Sequence, residues 1–92
     1  MTYESVRTLL APKRTVEVLA LLGENEILNY SDIESQIESS SDVISDRLTH
    51  LNEAGLVERT EYSKRDVRYT ITENGRGFLV KLNELEDLLD QE

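Results

Sequence analysis

At Gly55 the hydrophobic period of this chain changes, and that change constrains the fold more than any other feature. Before it, Ile44, Leu48 and Leu51 recur at i, i+4 and i+7, which predicts a helix from Ser41 or Asp42 to Ala54 with one apolar face. Gly55 stands where a helix commonly ends in a left-handed residue. After it come two short runs of a different kind, 56–62 and 67–72. The second alternates cleanly, with Val67, Tyr69 and Ile71 on one face. Ser63-Lys64-Arg65-Asp66 joins them as a polar hairpin loop. Thr72 then caps a last helix, with Glu73 in its first turn and a stripe of Phe78, Leu82, Leu85 and Leu89.

The first half of the chain is helical and interrupted. A short helix through Val6, Leu9 and Leu10 breaks near Ala11, because the residue before Pro12 is pushed out of helical geometry. Pro12 is placed as the first-turn residue of the next helix, which carries Val16, Leu19 and Ala20 and stops at Gly23. After the polar turn 24–26, residues 27–29 form a very short strand. Ser31-Asp32-Ile33-Glu34 has the pattern of a capping box, and a short helix turning Ile33 and Ile37 inward follows it. Tyr30 and Tyr69 are expected in the core. The expected class is α+β, mostly helical, in a single domain over 1–92.

Composition narrows the function. No cysteine is present, which removes disulfides and thiolate metal sites. No apolar run approaches the roughly 20 residues that span a bilayer, and the start, Met1-Thr2-Tyr3-Glu4, lacks a signal-peptide layout. The expectation is a cytoplasmic protein without a membrane partner. Gly-rich phosphate loops, Cys/His pairs and nucleophile elbows are missing, so an enzyme, a metal site and a bound cofactor are not expected. The lone histidine, His50, is read as a surface residue. Nineteen acidic residues against ten basic ones give a net charge of −9, an unusual balance for a protein that meets nucleic acid. Only three of the ten bases are lysine, and an acidic, lysine-poor surface fits life in very high salt, as in a halophilic archaeon.

Two helices joined by a tight turn, then a hairpin, form a helix-turn-helix followed by a wing. Asn29-Tyr30-Ser31-Asp32-Ile33, the run Ile44 to Val57 with its Leu-x-x-Ala-Gly-Leu-Val ending, and Arg68-Tyr69-Thr70-Ile71-Thr72-Glu73-Asn74-Gly75 together resemble the winged helix-turn-helix regulators of the HxlR type. PadR, MarR and ArsR proteins share much of this pattern. The resemblance covers residues 12–89. It implies a homodimeric transcription regulator, with helix 42–54 in the major groove of double-stranded DNA and wing 56–72 on its backbone. Residues 12–72 would form the helix-turn-helix and wing, 73–92 a C-terminal dimerisation helix, and 1–11 an N-terminal dimerisation extension.

The candidate site follows from the faces. With Ile44, Leu48 and Leu51 inward, base reading falls to Asp42, Ser45, Asp46, Arg47, Thr49 and His50. Acids on that face repel phosphate, and a carboxylate can accept only from a cytosine amine, so a solvated face touching nothing is the plain alternative. Backbone contacts fall to Arg59, Lys64, Arg65 and Arg68 of the wing and to Lys13 and Arg14, two locally basic islands in an acidic chain. A merely solubilising loop is the alternative for the wing. Val6, Leu9, Leu10, Phe78, Leu82, Leu85 and Leu89 form the candidate dimer seam, unless the last helix only covers its own core. The rival function is a protein-docking module that lays its acidic face on a basic partner. A sensor with a small-molecule effector would need that effector at the dimer interface.

Overall fold

The change of period at Gly55 is visible as a helix closure in the computed structural model, which describes residues 2–90. The helix Ser41–Glu53 (α4) ends with the Leu56 N–H donating to the Leu51 carbonyl and the Gly55 N–H to that of Asn52, both at 3.0 Å. This pair of bonds satisfies carbonyls the helix would otherwise orphan, and it requires a left-handed residue at Gly55, whose φ is +79°. The chain leaves directly into strand Val57–Ser63 (β2), turns at Lys64 and Arg65, and returns as Asp66–Ile71 (β3). The two strands pair antiparallel, Val57 opposite Ile71 and Arg59 opposite Tyr69, with an irregularity between Glu61 and Ser63.

Five further elements surround this unit. The helices Glu4–Leu10 (α1) and Thr15–Gly23 (α2), the two-residue strand Leu28–Asn29 (β1) and the helix Tyr30–Gln36 (α3) precede it, and the helix Glu73–Leu89 (α5) follows. β1 pairs with β3, Leu28 opposite Tyr69, giving a three-stranded antiparallel sheet in the order β1-β3-β2. One core joins Val18, Leu19 and Leu22 of α2, Ile33 of α3, Ile44, Leu48 and Leu51 of α4, Leu56, and Val57, Tyr69 and Ile71 of the sheet. Of β2 only Val57 is buried, so the hairpin stands out from the body. This is the α+β winged helix the sequence pattern implies.

Several local expectations are corrected. α2 begins at Thr15 and not at Pro12, because Arg14 is left-handed, with φ 72°, and a helix does not propagate through that conformation. Pro12 lies in the turn, where its carbonyl accepts a bond from the Thr15 hydroxyl at 3.0 Å. The buried face of α2 is Thr15, Val18, Leu19 and Leu22, and Val16 is exposed. The cap of α3 is Asn29, whose Oδ1 accepts from the Asp32 N–H at 2.9 Å, and not Ser31, which lies inside the first turn. Ile37 and Tyr30 are only half-buried.

α5 is anchored at its start. The Thr72 hydroxyl donates to the Gly55 carbonyl at 2.7 Å and accepts from the Gly75 N–H at 3.0 Å, while the Thr72 N–H donates to the Leu56 carbonyl at 3.0 Å. A Cβ at Gly75 would collide with the Leu56 carbonyl oxygen, so this close approach requires glycine. Beyond its first turns α5 loses its partners: Phe78, Leu79 and Leu82 are half-buried, whereas Leu85, Leu88 and Leu89 are exposed. Met1, Gln91 and Glu92 lie outside the described residues. Among the described residues no helix is long and apolar enough to cross a membrane.

Candidate nucleic-acid interface

The two helices of the helix-turn-helix are joined by hydroxyl chemistry as well as by their apolar faces. The Tyr30 hydroxyl donates to the Ser41 carbonyl at 3.0 Å and accepts from the Ser45 hydroxyl at 3.3 Å. The Ser41 hydroxyl in turn donates to the Glu34 carboxylate at 2.6 Å. Glu34 therefore bridges α3 to α4 and does not reach back to cap its own helix. Ser40 caps α4, accepting from the Val43 N–H at 3.3 Å. The part played by the Tyr30 hydroxyl was not legible in the sequence, where the residue reads simply as apolar bulk.

With Ile44, Leu48 and Leu51 fully buried beneath it, α4 presents Asp42, Ser45, Asp46, Thr49 and His50 to solvent, together with Asn52 and Glu53. The Thr49 hydroxyl donates to the Ser45 carbonyl of its own helix at 3.0 Å. His50 Nδ1 lies 3.7 Å from the Asp46 carboxylate. Arg47 differs from the others. Its Nε donates to the Lys13 carbonyl at 2.6 Å, its Nη1 pairs with the Asp46 carboxylate, and its side chain is only 13% exposed.

The wing cations divide in the same way. Lys64 and Arg65 sit at the exposed hairpin tip, and neither side chain takes part in an ion pair among the described residues. Arg59 is exposed, 3.9 Å from Glu61. Arg68 is held at home: its Nε and Nη2 grip the Asp66 carboxylate at 3.0 and 2.9 Å, and its guanidinium lies 4.4 Å from the centre of the Tyr62 ring. The bond from Arg68 holds the Asp66 carboxyl below the usual aspartate range, and the same bond raises Arg68. Lys13 and Arg14 lie at the exposed turn before α2, with Arg14 paired to Glu17 at 3.2 Å. A cleft of about 310 Å³ separates wing from helix-turn-helix, and Tyr30, Ser45, Arg59, Lys64, Arg65 and Tyr69 line it. No cluster of three or more metal-ligating side chains occurs among the described residues.

The candidate dimer residues fall on α1 and α5. Val6, Leu85 and Leu89 are exposed, by 47, 52 and 83%, while Leu9, Leu10, Phe78 and Leu82 are half-buried.

Residues 9–92 match the HxlR-like helix-turn-helix family. The chain belongs to the HxlR-like helix-turn-helix family. A possible HxlR family transcriptional factor from Thermoplasma volcanium GSS1 is 35% identical, with a TM-score of 0.74 over 100% of this chain and 87% of that one. The reduced form of the transcriptional regulator YodB from B. subtilis is 25% identical, with a TM-score of 0.81 over 96% of this chain and 88% of that one. The protein in the complex structure of hsRosR-S1 is 26% identical, with a TM-score of 0.73 over 80% and 70% of the two chains. No curated protein matches the chain. The HxlR-like proteins are helix-turn-helix transcription regulators and not enzymes, and this chain is one of them.

Proposed function

We propose that this HxlR-type regulator binds double-stranded DNA in a sequence-specific manner as a homodimer, with α4 in the major groove and the β2–β3 wing on the phosphate backbone. The observation that carries this reading is the pairing of two uncommitted cations, Lys64 and Arg65, with the exposed polar face of α4 across one cleft. Lys64 and Arg65, with Arg59 beside them, supply charge for phosphates. Ser45, Thr49 and His50 supply donors and acceptors for base edges, and Asp42 and Asp46 supply acceptors for cytosine amines. Cytoplasmic placement accompanies such a role.

The exposed leucines of α5 support the dimer. Leu85, Leu88 and Leu89 cover no part of their own core. An apolar stripe of this kind, together with the exposed Val6 of α1, is a surface for a second copy of the chain. Two copies would set their recognition helices roughly 34–36 Å apart, one DNA turn.

Titrating duplex affinity against salt tests the reading, with the unaltered chain beside Lys64→Ala combined with Arg65→Ala. The double change is expected to weaken binding about 10–100-fold at low salt and to cut the log–log salt slope by about 1.8, since each lost phosphate contact removes about 0.9. An unchanged slope removes the wing from the mechanism. Absence of duplex binding at every salt concentration favours the acidic face of Asp42, Asp46 and Glu53 as a dock for a basic protein. Sedimentation tests the dimer: Leu85→Asp with Leu89→Asp is expected to bring the chain to monomer mass, and a monomeric unaltered chain would defeat the seam.

A further inference from the structure

Arg47 is the only lysine or arginine of α4, and the structure spends it on the protein itself. A guanidinium that reads guanine presents two parallel N–H groups to O6 and N7 in the groove. The Arg47 fork faces the other way. Nε is bonded to the Lys13 carbonyl at 2.6 Å and Nη1 to Asp46, and the side chain is 13% exposed against 44% for Arg59 of the wing.

The carbonyl it holds belongs to an unusual turn. Arg14, the next residue, has φ 72°, a conformation that residues with a Cβ adopt only where their surroundings over-determine it. Two bonds grip this turn from outside its own backbone. One is from Arg47 to the Lys13 carbonyl, the other from the Thr15 hydroxyl to the Pro12 carbonyl at 3.0 Å. The turn connects α2 to α1, which packs against α2. α1 and the C-terminal part of α4 also frame a groove of about 460 Å³, lined by Thr8, Leu9, His50 and Glu53 among others. Arg47 is thus the polar link between the helix that faces DNA and the turn that carries the N-terminal extension.

We propose that Arg47 is a positioning residue of the DNA-binding surface: it clamps α4 to the left-handed turn at Lys13-Arg14 and sets the angle at which the recognition helix meets the groove, without touching a base. The proposal rests on the DNA-binding reading above. It also adds a polar link between α4 and the turn that carries α1, beside the apolar packing of α2 on both helices.

The test uses the full chain, a duplex selected for tight binding, and a panel of its single-base-pair variants. Arg47→Met keeps the stem and removes the donors. It is expected to weaken binding to every duplex by the same factor, about tenfold, as for loss of a charged hydrogen bond. The base-preference profile and the salt slope stay unchanged, and the amide resonance of Arg14 moves. Arg47→Lys restores a donor, and it is expected to recover most of the affinity and the Arg14 resonance. A merely structural role gives no such recovery, and Arg47→Lys keeps the test decisive if Arg47→Met does not fold. Loss of preference at one base pair in Arg47→Lys marks a base reader and overturns the proposal. So does a salt slope smaller by about one in either variant, the signature of a phosphate contact. Unchanged affinity in Arg47→Met overturns it as well. Failure of the unaltered chain to bind any duplex is a separate result, which brings down the DNA-binding reading and this proposal together.

Discussion

The helix α4 and the wing border one cleft, and their exposed surfaces carry opposite charge. α4 offers Asp42, Asp46 and Glu53 and commits its single arginine to a backbone carbonyl, whereas the wing tip offers Lys64 and Arg65 with no ion-pair partner among the described residues. The two regions also differ in support. α4 lies on three fully buried side chains, Ile44, Leu48 and Leu51, whereas β2 buries Val57 alone and the hairpin is stiffened from within by Arg68, Asp66 and Tyr62. On the proposed reading, a rigid acidic rod beside a projecting basic finger separates two tasks that many DNA-binding helices combine. The finger would supply attraction, which is independent of sequence. The rod would supply discrimination, which depends on where few donors and acceptors are held.

The comparison breaks most completely if the shared base is removed. Leu48→Ala deletes a fully buried side chain beneath α4 and is expected to cost about 2–5 kcal/mol. Thermal denaturation should show a fall in midpoint of about 10–20 °C or more, with helix-borne and wing-borne binding lost together. A fall of only one or two degrees would show that α4 does not depend on this packing.

A smaller change sharpens the contrast in charge. Asp42→Asn with Glu53→Gln neutralises two acids of the rod that take no part in the Arg47 clamp. Affinity for unrelated duplexes is expected to rise by less than about tenfold, because exposed charges in water interact weakly. Discrimination between duplexes falls with it. A loss of affinity would place these carboxylates in direct contact with bases.

The smallest effect concerns the wing's internal brace. Asp66 has a carboxyl held below its unfolded value of about 3.9 by Arg68. A carboxyl lowered in the folded state contributes stability that is present above the unfolded value and is lost as pH falls through the folded one. The unaltered chain should therefore lose part of its melting temperature on acidification below about pH 4. Asp66→Asn should show a flatter profile in that window and no difference in shape at neutral pH. Identical profiles for the two proteins would mean that the pair does not brace the wing.

Much of this architecture is written in local pattern. The switch of period at Gly55, the Thr72 cap and the alternation of Val67, Tyr69 and Ile71 each depend on neighbours a few residues away, so sequence and structure agree there. Agreement fails where a side chain had two local options. Ser31 and Asn29 were both able to cap α3, and Asn29 does so because its extended backbone places Oδ1 before the Asp32 N–H. Pro12 suits a first helical turn, but the left-handed Arg14 moves the start to Thr15.

What the residues alone determined is the order of the elements, the apolar face of α4 and the family to which they add up. Periodicity and capping act within one turn of helix or one pleat of strand, and they need nothing distant to express themselves. What only the tertiary structure decided is the employment of the long charged side chains. Arg47 and Lys64 look alike in a string of letters, yet one is clamped to a carbonyl 34 positions away and the other points into solvent. A flexible stem carries its charge to whichever partner the fold brings within reach, and that partner is set by packing rather than by adjacency in the chain.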